Sequence, residues 1–276
     1  MTMKVTCVVD DTSLPNSGFI AEHGLSFLIE TSGRRVLFDT GASGKVILNN
    51  LAKVGVEPEG LSAIVLSHSH RDHTGGLAML LERSPEIPVY AHPDIFTQRL
   101  SLKGDRLRDV SLPLSQAVMI LRVQLYLDSE PVEVVPGVWT SGEISERPEP
   151  EGRSERHFVR SRGRITPDPY KDDMALVLEL GDELAVICGC CHAGLLNTIY
   201  HVDRVFEKPI KAILGGLHLQ EADEAHLNRV VEVLRDYGPP KLYVNHCTGN
   251  KAIAFLREAF GEAVTPFPAG SSIVLE

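Results

Sequence analysis

Six consecutive residues, His68-Ser69-His70-Arg71-Asp72-His73, hold three histidines and a carboxylate. Neutral imidazole and ionised carboxylate are side chains that bind zinc, iron and manganese alike. In an irregular loop, His68 and His70 can turn toward one ion. Asp72 and His73 can turn toward a neighbouring position. That spacing suits two ions sharing a water, which such ions bring to a pKa near ~7, so that hydroxide is available at neutral pH. The bland alternative is a solvated histidine-rich loop. What flanks the motif disfavours it: Leu61 to Leu66 reads as a buried strand, and Gly75-Gly76 followed by Leu77 to Leu81 as a turn and a helix. A polar cluster this dense at the end of a buried strand has no packing use.

Several strands must converge to complete such a centre. Lys4 to Val9 reads as the first. Leu25 to Glu30 and Arg35 to Phe38 flank a Ser32-Gly33 turn, and the second of them ends at Asp39. Lys45 to Val54 has helical spacing. From 85 to 172 the pattern weakens into an insertion. There Val89 to Ala91 reads as a strand, Ile95 to Leu100 as a helical turn, and Val132 to Val135 and Val138 to Thr140 as strands. Glu143 to Pro169 reads as a solvated, partly mobile loop. Five of its arginines (Arg153, Arg156, Arg160, Arg162, Arg164) also allow a sharper reading, a lid over an anionic substrate. Order returns with strands at Met174 to Leu180, Leu184 to Cys188, Lys211 to Leu214, Leu242 to Val244 and Ser272 to Leu275. Helices at Leu195 to Val205, Glu224 to Tyr237 and Ala252 to Phe260 separate the later ones. Two similar halves, each a sheet with helices on one face, predict a single α/β domain over 1–276, a four-layer α/β/β/α sandwich with its strand-end loops along one edge.

Those strand ends supply further candidates. His192 lies between Gly189 and Gly194, which permit a sharp turn, and reads as a metal ligand; so does His246, before Thr248-Gly249. His218 follows a glycine pair and suits a ligand, a catalytic group or a substrate contact. Cys190 is either a thiolate ligand or an inert buried thiol. His23, on a loop between strands, suits substrate contact as well as a plain surface position. His92, His157, His201 and His226 lack supporting context and read as surface residues. The helix starts after Gly76, Gly194 and Gly249 offer backbone N–H groups to phosphate oxygens.

The totals narrow the function. The 276 residues carry a net charge of −10, which opposes a nucleic-acid partner. No apolar run reaches membrane-spanning length. The N-terminus enters a strand directly, without a signal peptide. Five cysteines, three of them within four positions, do not form a disulfide framework and point to a reducing cytoplasm.

The motif His68 to His73 resembles the H-x-H-x-D-H signature of the metallo-β-lactamase superfamily. Phe38-Asp39-Thr40-Gly41 resembles that superfamily's first motif, in which the aspartate supports the metal loop from behind. Glu22 to Ser26, Thr140 to Ile144, Asp172-Asp173, Gly189 to Gly194, Gly215 to Leu219 and His246 to Gly249 are similar to a branch containing dihydropterin ribofuranosyl-aminobenzene phosphate synthases of methanopterin biosynthesis. That resemblance implies condensation of a pterin diphosphate with release of pyrophosphate; many members of the branch are described only as metal-dependent hydrolases. The chain departs from the common pattern twice. Asp172 and Asp173 stand where a further histidine is usual, and Cys190, Cys191 and His192 where Gly-Asp is usual.

The expectation is therefore two divalent ions, zinc first, iron or manganese as alternatives. His68 and His70, with one of His192, Asp173 or Cys190, hold the first; Asp72 and His246, with His73 beside them, hold the second. Asp72 and His218 are the catalytic candidates, and His23, Arg153 and Arg160 the substrate contacts. The substrate is expected to be a small phosphorylated anion, with self-association left open. The competing reading is a non-catalytic sensor that uses the metal site to recognise a ligand.

Overall fold

A computed structural model describes residues 2–276. Two seven-stranded sheets lie face to face. The first runs, edge to edge, through Ser272–Leu275, Met3–Val9, Ser26–Thr31, Arg34–Phe38, Ala63–Val65, Val89–Ala91 and Leu125–Leu127. The second runs through Val264–Pro266, Lys241–Val244, Ile210–Gly215, Glu183–Cys188, Leu176–Leu180, Val138–Thr140 and Glu133–Val135. Each has one antiparallel and one parallel half.

Strand alternation sorts side chains between three apolar layers. Phe27, Ile29, Val36, Phe38, Ala63 and Val65 face the second sheet's Leu176, Leu178, Ala185 and Ile187. Their neighbours Leu28, Leu37 and Ile64 face outward, onto the helices Gly44–Lys53 and Leu77–Arg83. Val177, Val186 and Ile213 do the same toward Leu195–Phe206, Glu224–Asp236 and Asn250–Phe260. Because both faces of each sheet are covered, the central strands are nearly all apolar, which is why they are plain in the sequence. The result is the expected α/β/β/α sandwich. Truncating one of these buried leucines to alanine costs ~2–5 kcal/mol.

The insertion departs from expectation. Gln98–Lys103 is a strand, not a helical turn; the 3-10 turn before it spans Pro93–Phe96. Arg106–Asp109, His157–Ser161 and Arg164–Pro167 join it in a four-stranded antiparallel sheet. The second half of the presumed loop is thus a hairpin. One buried arginine fastens this sheet down. Arg99 meets Asp94 at 3.0 Å, Asp168 at 3.2 Å and Asp172 at 2.7 Å.

Parallel pairing aligns the strand ends that matter. Phe38 is level with Val65, and Cys188 with Gly215 and in turn Val244. The residues that follow, Asp39, Ser67 to His73, Cys190, His218 and His246, therefore gather along one edge.

Candidate metal centre

His68, His70 and His192 offer ligand atoms all within 4.8 Å of one another, and so do Asp72, His73 and His246. Cys190 joins the two groups, since it forms one such set with His68 and His73 and another with His246 and Cys247. His68 Nε2 lies 3.1 Å from His70 Nδ1, and Cys190 Sγ 3.3 Å from His73 Nε2. Asp72 and His73 are not on a loop, as the sequence suggests, but on a single helical turn, Arg71–Thr74, which re-aims them from the direction of His68 and His70.

Asp39 organises the centre from behind. It is fully buried, with a left-handed φ of 58°. Its Oδ1 accepts from Ser67 N and its Oδ2 from Ser67 Oγ, both at 2.7 Å; Oδ2 also meets His73 Nδ1 at 2.7 Å. The Ser67 hydroxyl proton is spent on Asp39, so the 2.8 Å contact between Ser67 Oγ and His68 Nδ1 puts the proton on that nitrogen. Both histidines then carry N–H at Nδ1 and turn a lone pair outward at Nε2. Asp11 does the same for His246, accepting from Nδ1 at 2.9 Å. Such partners fix the tautomer a ligand needs. Asp39, Cys191, His218 and His246 all have positive φ, backbone strain that clusters at functional sites.

The acidic pair holds the loops rather than facing the cluster. Asp172 Oδ2 accepts from Ser69 N at 2.9 Å, and Asp173 Oδ2 from Ala193 N at 2.7 Å. Asp173 belongs to none of the ligand sets; it fixes the backbone beside His192. Burial raises Asp172 to about 7 and Asp173 to about 6.

Electrostatics separates the two ends. Burial, then neighbouring histidines, hold His68 and His192 well below the usual imidazole range; burial, then His157, does so for His70. These rings are neutral, as ligands must be. Burial opposes charge on His246, yet Asp11 and the nearby Cys247 and Asp72 lift it to about 10. Burial works against ionised Asp72, but the surrounding histidines bring it to about 2. The second end therefore attracts a cation.

These residues fit divalent ions. Among the described residues, buried His70 Nε2 and His192 Nε2 have no hydrogen-bond partner, whereas buried polar atoms are nearly always paired. Lone pairs converge on two neighbouring positions, with neutral donors at one and an ionised carboxylate at the other.

Residues 20–192 match the metallo-beta-lactamase superfamily model. The chain belongs to the metallo-beta-lactamase superfamily. It is 30% identical to 7,8-dihydropterin-6-methyl-4-(beta-D-ribofuranosyl)-aminobenzene-5'-phosphate synthase of Methanocaldococcus jannaschii, over 98% of this chain and 96% of the relative. The crystal structure of Tm1679, described as a metal-dependent hydrolase of the beta-lactamase superfamily, matches at a TM-score of 0.82 and 26% identity, covering 99% of this chain and 98% of that one. Exodeoxyribonuclease WalJ of Streptococcus pneumoniae is 43% identical, but over only 22% of each chain. Likeness to the synthase and to Tm1679 thus spans the whole metallo-beta-lactamase fold of this chain.

Several residues take places the sequence did not announce. Tyr170 stacks on His192 with centroids 4.3 Å apart, and its hydroxyl meets His157 Nδ1 at 2.8 Å. His157, read as a surface residue, is half-buried with its ring 4.8 Å from that of His70. His92 and His201 are buried too, for packing: His92 Nδ1 caps Asp94 N, and His201 Nε2 meets Ser141 O at 2.8 Å. His226 is partly exposed and meets Glu151 at 3.0 Å. Glu151 also accepts from Asn197 N, so the helix start after Gly194 is already occupied by a carboxylate and is not open to phosphate.

Proposed function

We propose that the chain is an enzyme acting on a small phosphorylated molecule bound in the cleft beside the metal centre. The observation that carries this reading is the cleft's lining. A cavity of about 370 Å³ is bordered by His23, His157, His218 and Cys247, with Lys103 and Arg156 in its walls. Lys103 and Arg156 beside four donor side chains suit a phosphate ester or diphosphate, which would compete with Glu221, an acid of the same lining that pairs with Arg156 at 3.8 Å. Arg153 and Arg160, expected as substrate contacts, are exposed and absent from that lining; Arg156 takes their place. His23 and His218 do border the cleft, and the His218 ring lies 4.5 Å from that of His192.

The ions, zinc in our reading, supply Lewis acidity when bound. The protein's own groups do the rest. Lys103 and Arg156 neutralise and orient the phosphate. His218 and His23 sit where they can exchange a proton with the reacting group, and Asp11, 3.3 Å from His23 Nδ1, orients that ring. The relative named as a synthase supports a condensation that expels pyrophosphate in methanopterin biosynthesis; the description of Tm1679 supports hydrolysis. All five cysteines are free, which supports a reducing, cytoplasmic setting. Among the described residues no helix is long and apolar enough to cross a membrane.

The test is a panel of phosphomonoesters and diphosphates, with and without an aminobenzene acceptor, assayed for orthophosphate and pyrophosphate. Turnover is expected, lost with a chelator and restored by metal. Lys103→Gln and Arg156→Gln each raise KM by ~10-fold with a smaller change in kcat, as loss of ground-state binding does. Ligand retention without turnover of any substrate overturns the enzymatic reading in favour of a sensor.

A further inference from the structure

We propose that Cys247 joins Cys190 as a sulfur ligand, making the second metal position a two-thiolate site that selects soft divalent ions. This rests on the reading of the cluster as a metal centre, and adds to it a residue that the histidine motif does not contain. Cys190 and Cys247 end two different strands of the second sheet, yet their sulfurs and a ring nitrogen of His246 all lie within 4.8 Å of one another. Cys247 Sγ is 3.3 Å from the Cys190 carbonyl oxygen.

The backbone makes room for that sulfur. A Cβ added at Gly216 would fall 2.7 Å from Cys247 Sγ, 2.5 Å from Gly189 O and 3.4 Å from His246 Cδ2. Gly216 is not among the residues with positive φ, so its conformation does not demand glycine. Space does. The missing side chain lets Cys247 lie against the ring of His246 and the loop that carries Cys190. The other cysteines are placed otherwise. Cys188 and Cys191 pack into the core beneath the helices, and Cys7 into the core between the sheets.

Ligation is balanced by proton loss. Each thiol gives up its proton to solvent as its sulfur forms a bond to the ion, and no electron changes hands. Thiolate donors favour zinc, cobalt and cadmium over manganese, whereas a carboxylate–imidazole set does not discriminate so strongly.

Cobalt(II) reads this directly, because thiolate ligation gives a sulfur-to-cobalt charge-transfer absorption in the near ultraviolet that nitrogen and oxygen donors do not. Apoprotein made with a chelator and reloaded with two equivalents of cobalt should show this band. Cys190→Ser and Cys247→Ser should each weaken it, and the double variant should lose it while retaining visible bands from the first position. Each variant is checked for native circular dichroism. A second measurement needs no variant: alkylation followed by mass spectrometry should label the partly exposed Cys247 in apoprotein and not in zinc-loaded protein, with Cys7, Cys188 and Cys191 as internal controls. Bound cobalt without the band, a band indifferent to Cys247→Ser, or alkylation of Cys247 unaffected by zinc overturns the thiolate assignment and leaves the metal centre standing. Failure of cobalt to bind at all overturns both.

Discussion

The two ends of the donor cluster are built from different chemistry. His68, His70 and His192 form a buried, neutral, all-imidazole set. Asp72, His73 and His246 combine a carboxylate with imidazoles, beside Cys190 and Cys247. The first set holds lone pairs ready because burial forbids it charge. The second holds a proton on His246 where an ion would otherwise balance Asp72 and Asp11. One end is preorganised by desolvation and the other by unsatisfied negative charge. The supports differ as well. The first leans on the inserted sheet through Arg99, Asp172 and Ser69; the second leans on Asp11 near the N-terminus.

Removing one imidazole breaks the comparison most severely. His68→Ala, His70→Ala and His192→Ala should each empty the first position and abolish turnover while the second keeps its ion. Elemental analysis showing two full equivalents in any of them contradicts the assignment. Arg99→Ala should be the next largest effect. It strands two buried carboxylates, Asp168 and Asp172, and costs ~3–5 kcal/mol of stability, measured by denaturant titration. The accompanying loss of metal should fall on the first position, since Asp172 holds the Ser69 backbone there.

Asp39→Asn should lower affinity at both positions by ~10–100-fold with the fold intact, because one carboxylate fixes the ring of His73 and, through Ser67, that of His68. Loss confined to one position would show that Asp39 serves only that end. The pH dependence separates the two ends. His246 is lifted to about 10, so below that value an ion must displace its proton, and affinity at the second position should rise with pH by at least ~10-fold per unit from pH 6 to 9. The first-position rings are held below their ordinary pKa of ~6.5, so affinity there should be nearly flat over the same range. Competition titrations with a chromophoric chelator measure both slopes.

The sandwich and the insertion differ equally in how far they could be read from the sequence. Central strands buried on both faces, bounded by Gly-rich turns, stand out as apolar runs, and the histidine motif follows one of them. Arg106–Asp109 and Arg164–Pro167 are exposed along their whole length, so no alternation marks them; cross-strand pairing to Gln98–Lys103 and His157–Ser161 makes them strands. The site divides the same way. His68, His70, Asp72, His192 and His246 were legible because each closes or follows an evident strand. His157 reads as a surface residue, and local pattern gives Asp11, Tyr170 and the sulfur of Cys247 no role at the centre. Their roles come from packing of segments far apart in the chain, which local pattern does not encode. Asp173, which precedes a strand, sits immediately behind His192 and hydrogen-bonds to the backbone there instead of joining the cluster.

The most direct test is a crystal structure of the metal-loaded protein with anomalous maps at the metal edge. Two peaks are predicted. One should be bounded by His68, His70 and His192, with a His192 ring nitrogen about 2.0–2.2 Å from the ion. The other should be bounded by Asp72, His73 and His246, with the sulfurs of Cys190 and Cys247 on its remaining side. A single peak, or a first ion bound by Cys190 sulfur at about 2.3 Å while the His192 ring turns away, would contradict the division of the centre into two unlike ends.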